Sequence, residues 1–248
     1  FGGNNQPQVI AKRSNHASLK ADYILEDNSI INSKGEKYPI YTLENLPTQE
    51  NQEVLFVKTN LDQLSDETLA VFKKNSNIVL LVEASPENPV GEHRAFVHTL
   101  IAEGIKNPVI AVGRYRENDL EALQIKAAAD LGIIFVDGLA DGILIENAGA
   151  ISNEDVLSIS FGILQGSRVR VSKTEFISCP GCGRTHFSLQ KVIARVKAKT
   201  SHLTGLKIGI MGCIVNGPGE MADADYGYVG GGRGTIMLYK KQECIEKG

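Results

Sequence analysis

The sequence predicts an α/β protein in two parts, a barrel-like domain of βα repeats followed by a small α+β domain. Over residues 1–150, short apolar runs alternate with amphipathic runs, which is typical of a parallel sheet covered on both faces. These residues hold 13 Lys and Arg against 21 Asp and Glu, whereas residues 151–248 hold 13 against 8. All four cysteines lie in this second, basic part. The change of charge and composition indicates two units with different surfaces.

The first part shows strand and helix patterns with a spacing typical of βα units. The apolar runs predict strands at 54–57, 78–82, 108–112, 133–136 and 142–145. Between them, helical patterns run from Asp66 after the capping Ser65, across 92–101, and across 118–131. Since this is fewer than eight strands, and the stretch before Val54 has no clear pattern, we expect a partial or degenerate barrel.

The second part reads as a compact α+β domain. A helix over 153–165 closes the first part, and we place the domain boundary between residues 167 and 168. A strand is predicted at 174–177, a helix at 188–199 and another strand at 207–211. A hairpin then follows, with strands at 226–229 and 235–239 around a glycine-rich tip. Both strands that precede the hairpin end just before cysteines.

Composition excludes several classes of protein. With 42% hydrophobic and 22% charged residues, the chain can bury a globular core, and no apolar run approaches a membrane span. We find no nucleotide-binding glycine fingerprint, no paired carboxylates with a partner histidine, and no nucleic-acid recognition module. The strand ends of the first part therefore suggest a scaffold without its own site. Without a signal-peptide pattern, we expect a reducing compartment.

Two short runs carry the chemistry. One is Cys179-Pro180-Gly181-Cys182, and the other extends from Cys213 through Asn216 to Glu220. Three thiols and a carboxylate, presented on glycine- and proline-containing loops, suit an iron–sulfur cluster held by three thiolates. The fourth iron would then have an oxygen ligand that a substrate can replace.

Two other interpretations remain open at this point. A Cys-x-x-Cys pair also occurs in zinc-stabilised interaction modules and in thiol–disulfide oxidoreductases. A zinc site would need Cys213 and Cys244 as its second pair, and their separation is unusual for a structural zinc site. An oxidoreductase would begin a helix at the motif, whereas no helical pattern starts before Ser188.

The two cysteine runs resemble a known family. Together with Phe176-Ile177-Ser178 before the first run and residues 208–212 before the second, they are similar to the C-terminal domain of the 4-hydroxy-3-methylbut-2-enyl diphosphate synthase family. The resemblance implies a 4Fe–4S cluster held by Cys179, Cys182, Cys213 and Glu220. It also implies that Asn216 lies beside the substrate and the cluster, and that Cys244 is not a ligand.

The resemblance further implies an activity and its partners. The family opens the ring of 2-C-methyl-D-erythritol 2,4-cyclodiphosphate reductively, using electrons from ferredoxin or flavodoxin in the non-mevalonate isoprenoid pathway. Residues 1–167 resemble the spacer domain inserted in three-domain members, and the substrate-binding barrel is missing. We therefore expect a fragment that is inactive alone, from a bacterial cytoplasm or, in a plant, the plastid stroma, with neither nucleic acid nor membrane as a partner.

A basic surface in the second part offers a further expectation. We group five cationic residues there as a surface for substrate phosphates or for an acidic electron carrier. These residues are Arg168, Arg170, Lys173, Arg184 and Lys191.

Overall fold

A computed structural model describes residues 2–3, 5–16, 18–47 and 54–248. Contacts within the chain divide it into two compact units, residues 1–170 and residues 171–248. The boundary predicted from the sequence lies between residues 167 and 168, whereas the two units divide between Arg170 and Val171.

In the described part of the first unit, eight strands close into a barrel. Strands β4 to β8 pair in parallel, and β8 pairs in parallel with β1, while β3 is antiparallel to both its neighbours. The strands are β1 (Gln8–Lys12), β2 (Tyr23–Glu26), β3 (Ser29–Asn32), β4 (Lys37–Tyr41), β5 (Leu55–Asn60), β6 (Ile78–Glu83), β7 (Val109–Tyr115) and β8 (Gly142–Asn147). Helices α1 (Asp66–Lys74), α2 (Pro89–Ala102), α3 (Leu120–Val136) and α4 (Asn153–Gly166) belong to the same unit.

The barrel-like architecture is confirmed, but the barrel is complete rather than partial. Closure depends on β1 to β4, which lie in the stretch that showed no clear pattern. Each has only four or five residues, and in the described residues no α-helix separates them. The βα spacing that revealed the later strands is therefore missing here, and so a strand count from periodicity fell short.

The strand expected at 133–136 was wrong, because these residues form the last turn of α3. This helix contacts α2, α4 and β7, so apolar residues occur on most of its circumference and obscure the helical period. The strand that closes the barrel is β8, where Val9 pairs with Ile143. Gly142 permits the close approach, because a Cβ there would lie 2.8 Å from the Gln8 carbonyl oxygen.

The barrel interior is apolar, with charged side chains at the carboxyl ends of β6, β7 and β8. Arg114 on β7 lies between two carboxylates, with Nη2 2.7 Å from Glu83 Oε1 and Nε 3.3 Å from Glu146 Oε2. The positive charge of Arg114 therefore partly offsets the two carboxylates at these strand ends. The apolar interior consists of Ile10, Leu25, Ile30, Ile40, Phe56, Val79, Leu81, Ile110, Val112 and Leu144.

The second unit is a five-stranded sheet in the order β13-β12-β11-β10-β9. Its strands are β9 (Glu175–Ser178), β10 (Lys207–Met211), β11 (Tyr226–Gly232), β12 (Thr235–Lys240) and β13 (Glu243–Lys247), with helices α5 (Leu189–Thr200) and α6 (Gly217–Glu220). Strands β9, β10 and β11 are parallel, and the rest pair antiparallel. The strands before both cysteine runs, the helix between them and the hairpin are confirmed, whereas β13 was not anticipated. Within the described residues, no helix is long and apolar enough to cross a membrane.

Both faces of this sheet are packed. On one face, Leu189 of α5 packs with Ile208 and Ile210 of β10. On the other face, the side chain of Met221 lies over two glycines: a Cβ at Gly209 would be 2.7 Å from Met221 Cβ, and a Cβ at Gly227 would overlap the Met221 thioether. The missing side chains leave room for Met221, which anchors the segment after α6 against the sheet.

Arg170 ties the end of the first unit to the start of its barrel. Its guanidinium binds both carboxylate oxygens of Asp22 and, at 2.9 Å, the Pro7 carbonyl oxygen. It also lies 5.0 Å from the centre of the Phe161 ring. Grouping Arg170 with a basic surface of the second part was therefore wrong, because this side chain is engaged inside the first unit.

We predict that Arg170→Ala lowers the free energy of unfolding of the first unit by about 2–3 kcal/mol, less than for a fully buried pair because solvent reaches both groups. The cause is the loss of the Asp22 ion pair and of packing on Phe161. Denaturant unfolding followed by circular dichroism measures the change. Arg116→Ala, at an exposed arginine, is the matched control and should change the free energy by less than about 0.5 kcal/mol. Equal effects of the two substitutions would contradict this account.

Candidate metal centre

Parallel pairing brings the two cysteine loops to one edge of the second sheet. Strands β9 and β10 are adjacent, and Ile210 is paired with Ser178. Cys179 follows β9 directly, and Cys213 follows β10 after a single glycine. Because neighbouring parallel strands end at the same edge, the loops that leave them lie side by side.

The first loop forms a tight turn around Cys182. Gly181 has a positive φ of 84°, a conformation that favours glycine. The Thr185 N–H donates to the Cys182 carbonyl at 2.9 Å, and the Cys182 N–H donates to Thr185 Oγ1 at 3.3 Å. Helix α5 begins only at Leu189, so the Cys-x-x-Cys segment does not open a helix as in thioredoxin-like dithiols.

The second loop turns into the short helix α6. The Gly217 N–H donates to the Cys213 carbonyl at 3.2 Å, and the Glu220 N–H donates to the Asn216 carbonyl at 3.0 Å. Gly217 is required by packing, since a Cβ there would lie 2.7 Å from Met211 Cβ. The turn places Asn216 and Glu220, both exposed, within one helical turn of each other.

Backbone N–H groups surround two of the thiols. The Gly212 N–H donates to Cys179 Sγ at 3.2 Å, which links the two loops. The Asn216 and then the Val215 N–H groups donate to the Cys213 sulfur and lower the pKa of this thiol, against a smaller opposing effect of burial. Donors aimed at a sulfur favour the thiolate, which is the form that binds metals.

Cys182 and Arg184 also favour the thiolate form of Cys213. The Cys182 thiol hydrogen-bonds to Cys213, and with the positive charge of Arg184 this contributes further to the lowered pKa of Cys213. All three thiols are free, as is that of Cys244. Cys244 lies elsewhere, on β13 opposite Tyr239, where its thiol lies 3.6 Å from the Glu246 carbonyl oxygen.

The predicted ligands do not form a preassembled site for a single metal ion. Among the described residues, no three His, Cys, Asp or Glu side chains are grouped so as to hold one ion. A 4Fe–4S cluster makes a different demand, because its ligands bind separate irons and surround the cluster rather than converge on one atom. Three thiols at one sheet edge, two of them with backbone N–H donors, fit that chemistry. Glu220 is exposed at the end of α6.

Sequence reasoning missed the role of one residue in this arrangement. Thr185 does not cap the following helix, since Ser188 occupies the cap position. Thr185 instead binds the Cys182 backbone and lies against Gly212 on the other loop. The sequence does contain one indication of this contact. Gly212 lies directly between a buried strand and a cysteine, and a glycine at such a position often indicates close backbone packing.

Comparison with known proteins finds relatives that match both units. The family model described as GcpE protein C-terminal domain matches residues 175–248. A 4-hydroxy-3-methylbut-2-en-1-yl diphosphate synthase (flavodoxin) from Phocaeicola vulgatus is 46% identical over 100% of this chain and 44% of its own length. Its namesake from Bacteroides thetaiotaomicron is 50% identical over 100% of this chain and 44% of its own length.

A more distant relative with the same name, from Protochlamydia amoebophila, is 43% identical over 75% of this chain and 28% of its own length. The chain thus spans less than half the length of the curated relatives it matches. The identity to the first two extends over both units and includes the barrel as well as the cysteine loops. Along its whole length, the chain is therefore similar to part of the 4-hydroxy-3-methylbut-2-en-1-yl diphosphate synthases (flavodoxin), and its residues 175–248 match the GcpE protein C-terminal domain.

Proposed function

We propose that this chain provides the iron–sulfur part of an enzyme that makes 4-hydroxy-3-methylbut-2-enyl diphosphate in the non-mevalonate isoprenoid pathway. The substrate would be 2-C-methyl-D-erythritol 2,4-cyclodiphosphate, which takes up two electrons with protons, opens its ring and loses one oxygen as water. The observation that carries the proposal is the 46–50% identity to named synthases over the whole chain. The remainder of those relatives would supply the barrel that binds the cyclic diphosphate, so this chain alone would turn over little or no substrate.

The proposed cluster ligands are Cys179, Cys182, Cys213 and Glu220. A bound cluster would supply electrons and one iron able to polarise a C–O bond. The Asn216 N–H would favour the thiolate form of Cys213, and the Gly212 N–H would donate to the Cys179 sulfur. Glu220 would be the ligand that leaves most easily, because a hard carboxylate binds cluster iron less firmly than a thiolate.

Asn216 is the proposed substrate-positioning residue of this part of the enzyme. Its backbone N–H donates to the Cys213 sulfur, and the residue itself is exposed to solvent. An exposed amide next to a ligand sulfur can offer both a donor and an acceptor to substrate oxygens. We propose a scaffold role for residues 1–170, in which the strand-end charges pair with each other.

The electron donor would be flavodoxin, which is part of the names of the relatives, or a ferredoxin. Lys191 and Arg195 are both exposed on α5, one turn apart, and α5 begins at the sheet edge that carries the cysteine loops. A positive surface near the cluster would steer an acidic carrier toward it. Since the named relatives are bacterial, we propose the bacterial cytoplasm as the compartment, where thiols remain reduced.

Anaerobic reconstitution with iron and sulfide should give a brown protein with broad absorbance near about 400 nm. Single Cys179→Ala, Cys182→Ala and Cys213→Ala variants should lower the affinity for the cluster at least about tenfold, since each removes a thiolate ligand. Iron and sulfide analysis with the absorbance spectrum measures this.

The Cys244→Ala variant is the matched control, because it removes a thiol of the same unit away from the loops. It should retain the spectrum of the unmodified chain. A colourless protein that binds stoichiometric zinc would contradict the proposal, as would a loss of the cluster in Cys244→Ala equal to that in the other three variants.

Charge reversal on α5 tests the docking surface. In the reconstituted chain, Lys191→Glu with Arg195→Glu should slow cluster reduction by reduced flavodoxin about tenfold or more at low salt, and less at high salt. Stopped-flow absorbance under anaerobic conditions measures the rate. Lys240→Glu with Lys241→Glu makes the same change of charge at the opposite sheet edge, and its rate should stay close to that of the unmodified chain. Equal rates for both double variants would remove the docking role from α5.

A further inference from the structure

The two cysteine loops touch through a contact between Thr185 and Gly212. A Cβ added to Gly212 would overlap Thr185 Oγ1 and lie 3.1 Å from both Thr185 Cβ and Cγ2. Real Cβ atoms essentially never approach other atoms closer than 3.0 Å, so only glycine fits here unless Thr185 moves. Gly212 is buried, and Thr185 is partly buried. The threonine side chain thus rests directly on the backbone of the neighbouring loop.

Thr185 and Gly212 each also hydrogen-bond to a predicted cluster ligand. Thr185 Oγ1 accepts from the Cys182 N–H at 3.3 Å, and the Thr185 N–H donates to the Cys182 carbonyl at 2.9 Å. Gly212 donates its N–H to Cys179 Sγ at 3.2 Å and directly precedes Cys213. The contact between Thr185 and Gly212 therefore links the positions of all three cysteines.

Gly212 also lies close to strand β11. A Cβ at Gly230 of β11 would overlap the Gly212 carbonyl oxygen and lie 2.7 Å from Phe187 Cε1. Gly212 is consequently packed closely against both Thr185 and the backbone of Gly230. In a closely packed region, a small displacement of one residue also shifts the residues packed against it.

We propose that Thr185 is a positioning residue that sets the spacing between the Cys182 loop and the Cys213 loop, and thereby determines how firmly the cluster is retained. This proposal rests on the proposed cluster-binding function. Thr185 acts through Cys182 and Gly212 and contacts no metal itself. If a cysteine is held away from the position in which it binds iron, moving it into that position costs free energy. The cluster is then lost faster.

A double-mutant cycle separates this role from that of an ordinary turn residue. Gly212→Ala should speed iron release about tenfold or more, because the added methyl pushes the loops apart. Thr185→Ala should speed it severalfold, since the Cys182 N–H loses its acceptor, whereas Thr185→Ser keeps the hydroxyl and should stay close to the unmodified chain. The double variant should release iron more slowly than Gly212→Ala alone, because removing Oγ1 and Cγ2 relieves the overlap.

Gly183→Ala is the matched control for the added methyl. Gly183 lies in the first loop, has an ordinary backbone conformation, and a Cβ there would have no atom within 4 Å. The readouts are the anaerobic rate of iron release to a chelator, followed by absorbance, and the electron paramagnetic resonance spectrum of the reduced cluster. Thermal unfolding of each metal-free variant shows whether the fold is retained.

The outcomes are distinguishable. If the unmodified chain assembles no cluster, the proposed function falls, and this proposal with it. If the chain holds a cluster but Gly212→Ala and Thr185→Ala release iron as slowly as Gly183→Ala, the positioning role is wrong while the proposed function stands. Should Gly212→Ala fail to fold, the comparison of Thr185→Ala with Thr185→Ser decides: equal release rates for the two would overturn the role of the hydroxyl.

Discussion

Parallel pairing of β9 with β10 is the constraint on which the candidate site depends. The pairing of Ser178 with Ile210 brings the ends of both strands level, and each strand leads within two residues to a cysteine. Helix α5 makes this possible, because a parallel connection needs a crossover that returns the chain to the other edge. Its apolar face packs on β10, so the same core that stabilises the unit sets the position of the two loops.

The residues next to the cysteines then determine how closely the loop backbones can pack. Glycine at 212 and 217 removes side chains where the loop backbone meets Thr185 and Met211. This close approach allows backbone N–H groups to reach the Cys179 and Cys213 sulfurs. The thiolate form of Cys213 is favoured by backbone N–H dipoles, with a contribution from Arg184, so the lowered pKa of this thiol depends on the loop conformation.

Sequence reasoning succeeded where structure is local and failed where it is not. The period of Leu189, Val192, Ile193 and Val196 identified α5, and a short apolar strand before each run identified β9 and β10. Barrel closure was missed because β1 to β4 are short and lack intervening helices, and α3 was shortened because it is apolar on most sides. Strand β13 has exposed, mostly charged residues and so no hydrophobic pattern. The Thr185–Gly212 contact joins separate loops, which no local pattern reveals.

The proposed function requires that three thiolates and the Glu220 carboxylate hold one cluster. Mössbauer spectroscopy of the chain reconstituted with isotopically enriched iron tests it most directly, because the spectrum separates irons by their ligands. If Glu220 is the fourth ligand, we expect a distinct subsite of about one quarter of the iron, with the larger isomer shift of an oxygen ligand. This subsite should change or disappear in Glu220→Ala and persist in the control Glu243→Ala. A subsite that is identical in Glu220→Ala, or the absence of any cluster spectrum, would contradict the account.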